Sequence, residues 1–467
     1  RLNQEKPILI QFSTETTVDS AMKIEKPVKP TVTAHKTPQI GFLEYFFVFV
    51  LLVYAAHAIR QVASTSVLEN PFWVMIPVIL STILALKWKI VLNKQIYLLV
   101  LGFFIYFFAI SVKFNEVRPT YFINYLLLFF TVYVAIKALN INFFRLYETV
   151  MYLLAIIGLL FWGIQIVLGG DTLFNYFGMI PGIDTWSYVS GGGYSALIYS
   201  VQPTSMSIQY DFLPPRNCGF AWEPGGFAVF LALALFINLF FFSPDKNSRI
   251  RFWVLTGALV SSQSTTGYLI FILILLFFYY NKKQKIVILI WPAVIALIIA
   301  AFTLPFMSDK IVSLYREAEM IDIMVENSIG RESSIAPQRF ASFMIAFRDF
   351  LAHPILGLGG NAEASWTVRA GANVSTITGL GNLLAQHGLV GFIFFIVASY
   401  QSSAFYARTF SFKGRFLFLA MILFVSVSYG IILLPLLMIF WMFALFTPLG
   451  LDQSDIRIKG VCLRKQG

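Results

Sequence analysis

Long apolar runs recur along the chain at a length that points to one solvent. Hydrophobic segments cover Phe42 to Ala58, Pro71 to Leu86, Ile96 to Val112, Tyr121 to Ile136 and Thr149 to Leu168. They resume at Pro224 to Phe242, Phe252 to Tyr280, Ile286 to Leu304, Thr376 to Tyr400 and Phe416 to Phe446. Most approach the ~20 residues a helix needs to cross ~30 Å of hydrocarbon. The blocks Phe252 to Tyr280 and Phe416 to Phe446 are too long for one crossing and too short for two full ones. Breaks at Ser261 to Gly267 and at Tyr429 to Gly430 divide each into two short helices or a re-entrant hairpin. The pattern predicts an all-α polytopic membrane protein with about 12 transmembrane or re-entrant helices, filling residues 41–448 as one membrane domain.

Between these runs lie two long polar stretches, 169–217 and 305–375. Structureless loops beyond ~12–15 residues are uncommon in compact domains and usually functional. The first stretch reads as irregular and glycine-rich. The second carries a predicted amphipathic helix from about Gln338 to Ala352, with Phe340, Phe343, Met344, Phe347 and Leu351 on one stripe that should lie in the membrane interface or dock on the bundle.

Composition and charge sharpen this reading. Hydrophobic residues make up 58% of the chain and charged ones only 12%, which excludes an ordinary soluble domain. The formal charge of +11 does not indicate nucleic acid, because the basic residues sit in short loops. Lys87, Lys89, Lys94, Lys137, Arg145, Lys246, Arg251, Lys282, Arg408, Lys413 and Arg415 fall on one side by parity, and the positive-inside rule makes that side the cytoplasm. Both termini are then cytoplasmic, and both polar stretches face the periplasm. Residues 1–40, with Pro27, Pro30 and Pro38 and no apolar signal core, read as a disordered tail, and 449–467 as a second tail. Cys218 and Cys462 fall near opposite faces, so no disulfide is expected.

The candidate chemistry gathers at the outer face. In RNCGFAWEPGG, Arg216 to Gly226, Pro224 marks a helix start and leaves Glu223 at its N-terminus, where the helix dipole favours an ionised carboxylate. Glu223 is either a functional group or a cap paired with Arg216. Arg339 opens the amphipathic helix, and Arg348 lies nine residues on, on the opposite flank at ~100° per residue, so one site takes only one of them. Arg339 is preferred, since its planar fork suits a diphosphate; a guanidinium snorkelling to headgroups is the simpler alternative. Gly357 to Gly360, Gly359 included, either bring backbone N–H groups to a phosphate or form a turn. His353 is a possible proton carrier and His387 lies inside a span, though both also read as hydrogen-bonded structural histidines. Glu317, Glu319, Asp322 and Glu326 fit a solvated helix face and lack a Cys/His set, so no metal is expected. Trp186, Tyr188, Tyr194, Trp222 and Trp366 suit sugar stacking or an interfacial belt.

Two segments carry a resemblance. RFASFMIAFRDFLAHPILGLG, Arg339 to Gly359, followed by NLLAQHGLVG, Asn382 to Gly391, resembles the O-antigen polymerase and ligase superfamily of bacterial envelope enzymes. EPGG at Glu223 to Gly226 and SQSTTG at Ser262 to Gly267 are similar to elements of Wzy-type polymerases. Ligases of the superfamily have a His-Asn pair shortly before the final Gly-x-x-Gly, and the corresponding positions hold Ile377 and Thr378, which favours a polymerase. The resemblance implies a GT-C-like, metal-independent and cofactor-free glycosyltransferase in the inner membrane. Its donor and acceptor would both be undecaprenyl diphosphate-linked glycans, joined into O-antigen or a related polysaccharide at the periplasmic face, with membrane lipid around it and a chain-length regulator as partner. In that chemistry Arg339 and Arg216 would meet the diphosphate, and Glu223 or His353 would act as the base. Arg348, Trp222 and Gly359 would be further diphosphate or glycan contacts. Ligase-type transfer and a flippase or other transporter are the alternatives.

Overall fold

A computed structural model describes residues 39–58, 71–181, 188–189, 193–203, 214–242, 245–282, 320–330, 335 and 337–447. The tails before Gln39 and after Thr447, the Ile286 to Leu304 span, Glu317, Glu319, Trp186 and Cys462 lie outside the described residues, as does the side chain of Tyr188.

The helices are α1 (Phe42–Ala55), α2 (Met75–Lys87), α3 (Lys94–Phe114), α4 (Pro119–Leu139), α5 (Asn142–Leu168), α6 (Gly170–Gly178), α7 (Pro224–Phe240), α8 (Lys246–Ser261) and α9 (Thr265–Asn281). They continue with α10 (Ile321–Glu326), α11 (Arg339–Ala352), the single turn α12 (Trp366–Arg369), α13 (Gly379–Thr409), α14 (Leu417–Ser428) and α15 (Pro435–Phe446). Their ends follow local chemistry. Asn93, Asp245, Ser264 and Thr378 accept backbone N–H groups at the starts of α3, α8, α9 and α13. Proline opens α4, α7 and α15, where its missing N–H costs nothing. Among the described residues, α3, α4, α5 and α13 are long and apolar enough to cross a membrane, and six shorter apolar helices accompany them.

Burial divides the bundle by function. Helix α7 is buried on almost every side, whereas α3 buries little beyond Ile96 and Ile110 and exposes Leu98, Leu101, Ile105 and Phe108. An apolar helix exposed on this scale has lipid as its partner. Both long apolar blocks resolve into helix pairs, α8 with α9 and α14 with α15.

At one end of the bundle, buried Glu148 on α5 accepts from Arg251 on α8 and from Asn238 near the end of α7, tying three helices together. At that same end Asn281 of α9 bonds to the backbone at Lys413, beyond α13. At the other end, Asn217 bonds to Ser261, Trp162 to the Pro215 carbonyl, and Thr266 to Ser428.

Two features depart from the sequence expectation. The first outer stretch contains a small antiparallel sheet in the order β1 (Tyr188–Val189), β2 (Gly193–Ser195) and β3 (Ser200–Val201), with Tyr194 opposite both Tyr188 and Val201. Tyr199 and Val201 are buried against Leu173 and Phe177 of α6, so apolar packing orders a segment whose composition reads as loop. In α11 the buried positions are mostly small, Ala341, Ser342, Ile345, Ala346 and Asp349. Ala341 and Ile345 pack on Ile321 and Val325 of α10 and on Ala372, Asp349 bonds to Ser365 and Trp366, and Ala346 and Phe343 meet α13 at Gly381, while Phe340 and Leu351 of the aromatic stripe stay exposed. Small residues let the helices approach until Ala346 reaches Gly381, which bulkier side chains would prevent.

The segment after α11 then inserts into a break in α13. Gly388 has φ 59° and ψ −159°, which interrupts the helix and strands backbone groups on both sides. Residues 354–360 take them up: Leu358 N donates to Ala385 O and Gly359 N to Gln386 O, while Leu389 N donates to Pro354 O and Val390 N to Ile355 O. Three side chains from elsewhere satisfy the remaining carbonyls, Tyr106 at Leu356, Lys113 at Gly357 and Arg118 at Gly360. The backbones touch so closely that a Cβ on Gly388 would lie 2.4 Å from the Ile355 carbonyl oxygen. Gly388→Ala therefore combines a backbone clash with a strained φ and should cost about 2–3 kcal/mol or more. Gly102→Ala, with nothing within 4 Å, should cost nothing; thermal unfolding of both variants in detergent measures the difference.

Candidate functional site

Arg339 and Glu223 are 116 residues apart in sequence and form an ion pair, with Arg339 Nη2 2.7 Å from Glu223 Oε1. The same Nη2 donates to Tyr429 Oη at 2.9 Å, and the guanidinium lies over the Tyr429 ring, 4.4 Å from its centroid. Each partner is set by an element boundary. Glu223 precedes Pro224 in an extended conformation and makes no cap hydrogen bond of its own, so its carboxylate points away from the helix it introduces. Arg339 is the first residue of α11, and Tyr429 ends α14 as the chain turns toward α15. Gly225 makes the meeting possible, because a Cβ there would lie 1.7 Å from Tyr429 Oη. Burial works against the charge of Arg339, but Tyr429 and Glu223 hold its guanidinium above its ordinary pKa.

The pair stays accessible, with side chains 34% and 30% exposed. Both hydrogen bonds from Arg339 to described residues use Nη2, which leaves the Nη1 and Nε side of the fork facing outward from this contact. Trp222 stands beside the pair, its ring 5.7 Å from the Tyr429 ring in an edge contact and its backbone N–H donating to Ala56 O.

Sequence candidates divide around this centre. Glu223, Arg339 and Trp222 come together. Glu223 pairs with Arg339 and not with Arg216, whose guanidinium faces the Ser262 and Gln263 carbonyls at the end of α8. Arg348 leaves the site: it pairs with Asp322 and stacks on Trp366, pinning the outer segment to α11. His353, at the other end of α11, is ~20 Å from Arg339 at 1.5 Å per residue, too far to share a reacting centre. It packs edge-on against Phe114, and burial together with the charges of Lys113 and Arg369 lowers its pKa. Gly359 cannot offer its N–H to a phosphate, because that group donates to Gln386 O, and its positive φ serves close packing on Ile110. Tyr429 escaped the sequence reading as a site residue, although a hydroxyl interrupting an apolar block was a usable signal.

A cavity of about 480 Å³ opens between α3, α4, α13 and α15. Its walls are hydrocarbon, including Leu98, Phe129, Val390 and Trp441, with Tyr106, Tyr125 and His387 at one wall. His387 sits among three tyrosine hydroxyls: Tyr121 and Tyr106 reach Nδ1 at 3.2 and 3.4 Å, and Tyr125 reaches Nε2 at 2.8 Å. Leu383 also lines the cavity, one helical turn along α13 from Gly379, whose backbone lies so close to Tyr429 that a Cβ there would be 2.1 Å from the Tyr429 carbonyl oxygen; Leu433, just past Tyr429, lines it too.

The geometry has its own test. A double-mutant cycle on Glu223→Ala and Arg339→Ala should give a coupling of ~1 kcal/mol, modest because both groups are partly exposed, whereas Glu223→Ala with Arg348→Ala should be additive. Thermal unfolding of the four proteins in each cycle supplies the values.

No curated protein matches the chain. A family model described as O-antigen ligase (Wzy_C) matches residues 250–396, from α8 through Arg339 and the 354–360 insertion into α13. Over that part of its length the chain is similar to the O-antigen ligase family.

Proposed function

We propose that the protein is a polysaccharide polymerase that transfers a growing glycan from undecaprenyl diphosphate to the sugar of an incoming lipid-linked repeat unit. Members of the superfamily are glycosyltransferase-like enzymes acting on lipid-linked glycans. The observation that carries the reading is Arg339, a third exposed and fixed by Glu223 and Tyr429, with an apolar cavity lined one helical turn along α13 from the Tyr429 contact. As the glycosyl–oxygen bond to the diphosphate breaks, negative charge collects on the leaving oxygens, and a guanidinium already in position stabilises it without reorganising. Glu223 is best cast as the group that holds Arg339, since a carboxylate sharing a guanidinium proton is a poor base. Trp222 offers an aromatic face to a sugar ring, and the cavity between α3 and α15 takes the polyprenyl chain.

The basic residues support a cytoplasmic placement for the end of the bundle that carries Arg251 and Lys413. Glu223 begins α7 and Asn238, at the Arg251 end, nearly finishes it, so the ion pair then faces the periplasm. Polymerase is preferred to ligase because the positions of the ligase His-Asn pair hold Ile377, which is exposed, and Thr378, whose hydroxyl caps α13. The ligase description of the matching family keeps transfer to a lipid A-type acceptor as the second reading.

Purified protein incubated with undecaprenyl diphosphate-linked repeat units should produce a ladder of longer chains. Arg339→Ala should lower extension ~10²–10³-fold, on the scale of removing one preorganised charge donor. Glu223→Ala should also impair it, and Arg348→Ala should keep it. Extension that survives in both Arg339→Ala and Glu223→Ala would put the reaction elsewhere.

A further inference from the structure

The transfer needs a proton acceptor, and the two candidates read from the sequence do not supply one: Glu223 is tied to Arg339, and His353 is at the far end of α11. The structure brings up a third. His57 lies just past the end of α1 with φ 48°, the left-handed residue that closes the helix, its N–H bonded to Tyr54 O and the next N–H to Val53 O. Ala56 O accepts the Trp222 N–H, which fixes this turn against the stretch that carries Glu223. The His57 ring lies 5.2 Å from the Trp222 ring, and Trp222 lies 5.7 Å from Tyr429, so two ring-to-ring steps separate the imidazole from the residue that holds Arg339. Among the described residues, neither ring nitrogen of His57 has a hydrogen-bond partner.

We propose that His57 accepts the proton of the acceptor hydroxyl during glycosyl transfer, an inference that rests on the polymerase reading. The acceptor oxygen forms its bond to the anomeric carbon while the bond from that carbon to the diphosphate oxygen breaks. The electron pair leaves on the diphosphate against Arg339, the hydroxyl proton moves to a ring nitrogen of His57, and water removes it afterwards. A sugar ring over Trp222 bridges the two groups. Burial pushes the His57 imidazole down to about 4, so it is unprotonated and able to accept at neutral pH. The charged and titratable groups at this junction are Tyr54, whose carbonyl accepts the His57 N–H, Tyr429 beside Trp222, Glu223 and Arg339 bonded to one another, and Arg216, whose charge reaches Tyr429, and an anionic substrate arriving among them raises the affinity of His57 for a proton.

Extension of lipid-linked repeat units by the full-length protein in proteoliposomes, followed across pH, tests this. His57→Gln should lower kcat ~100-fold or more with KM little changed. The wild-type fall in rate toward acid pH, where His57 becomes protonated, should vanish, and added imidazole should restore part of the rate in His57→Ala. A near-wild-type kcat in His57→Gln, or a loss carried by KM with the acid limb intact, overturns the inference and leaves the polymerase reading standing. If His57→Gln melts early, His57→Asn is judged by the same acid limb. A folded wild-type protein that extends nothing overturns the polymerase reading, and the inference with it.

Discussion

The constraint on which the Arg339 end of the molecule rests is the exchange of backbone hydrogen bonds between residues 354–360 and the break in α13. A helix interrupted inside a bilayer strands N–H and C=O groups that no water can satisfy, each costing several kcal/mol. Here the insertion answers donors with acceptors and acceptors with donors on both sides of Gly388. Because the inserted segment follows directly from α11, that helix is anchored at its C-terminal end, and Ala346 holds it close to Gly381 of α13. Arg339, at the N-terminal end, inherits a fixed position from contacts made about 20 Å away.

The two ends of the bundle solve different problems. Where Glu148, Asn238 and Arg251 meet, a buried charge is paired and hydrogen-bonded, and nothing there invites a ligand. Where Glu223, Arg339 and Tyr429 meet, the charges are balanced but a third exposed, and one side of the guanidinium is turned outward. The first arrangement suits permanence. The second suits exchange, because an incoming anion can add to the fork without first breaking a buried pair.

The architecture was legible to the extent that it depends on local pattern. Runs such as Ile96 to Val112 need only be counted, and Pro224 or Ser264 announces a helix start from its own chemistry. The partnership of Glu223 with Arg339 was not legible as a contact, although each residue stood out alone, because a sequence separation of 116 carries no signal of proximity. Tyr429 and His57 were harder still. Their importance comes from which ring they touch, and a tyrosine in an apolar block or a histidine at the end of a span says nothing of that. The sheet around Tyr194 was missed because its order comes from packing on α6, whereas the glycines that flank its turn argue for loop. Gly359 misled in the opposite sense: a glycine cluster read as a candidate phosphate contact proved to be a docking joint.

That joint also bears on how such a chain can be recognised among its kin. Main-chain atoms make its essential contacts, so it asks for glycine at the points of closest approach and is indifferent to most side chains in between. Exchange of the side chains in between leaves the main-chain bonds untouched, so a joint of this kind shows itself in the spacing of its glycines and not in the residues around them.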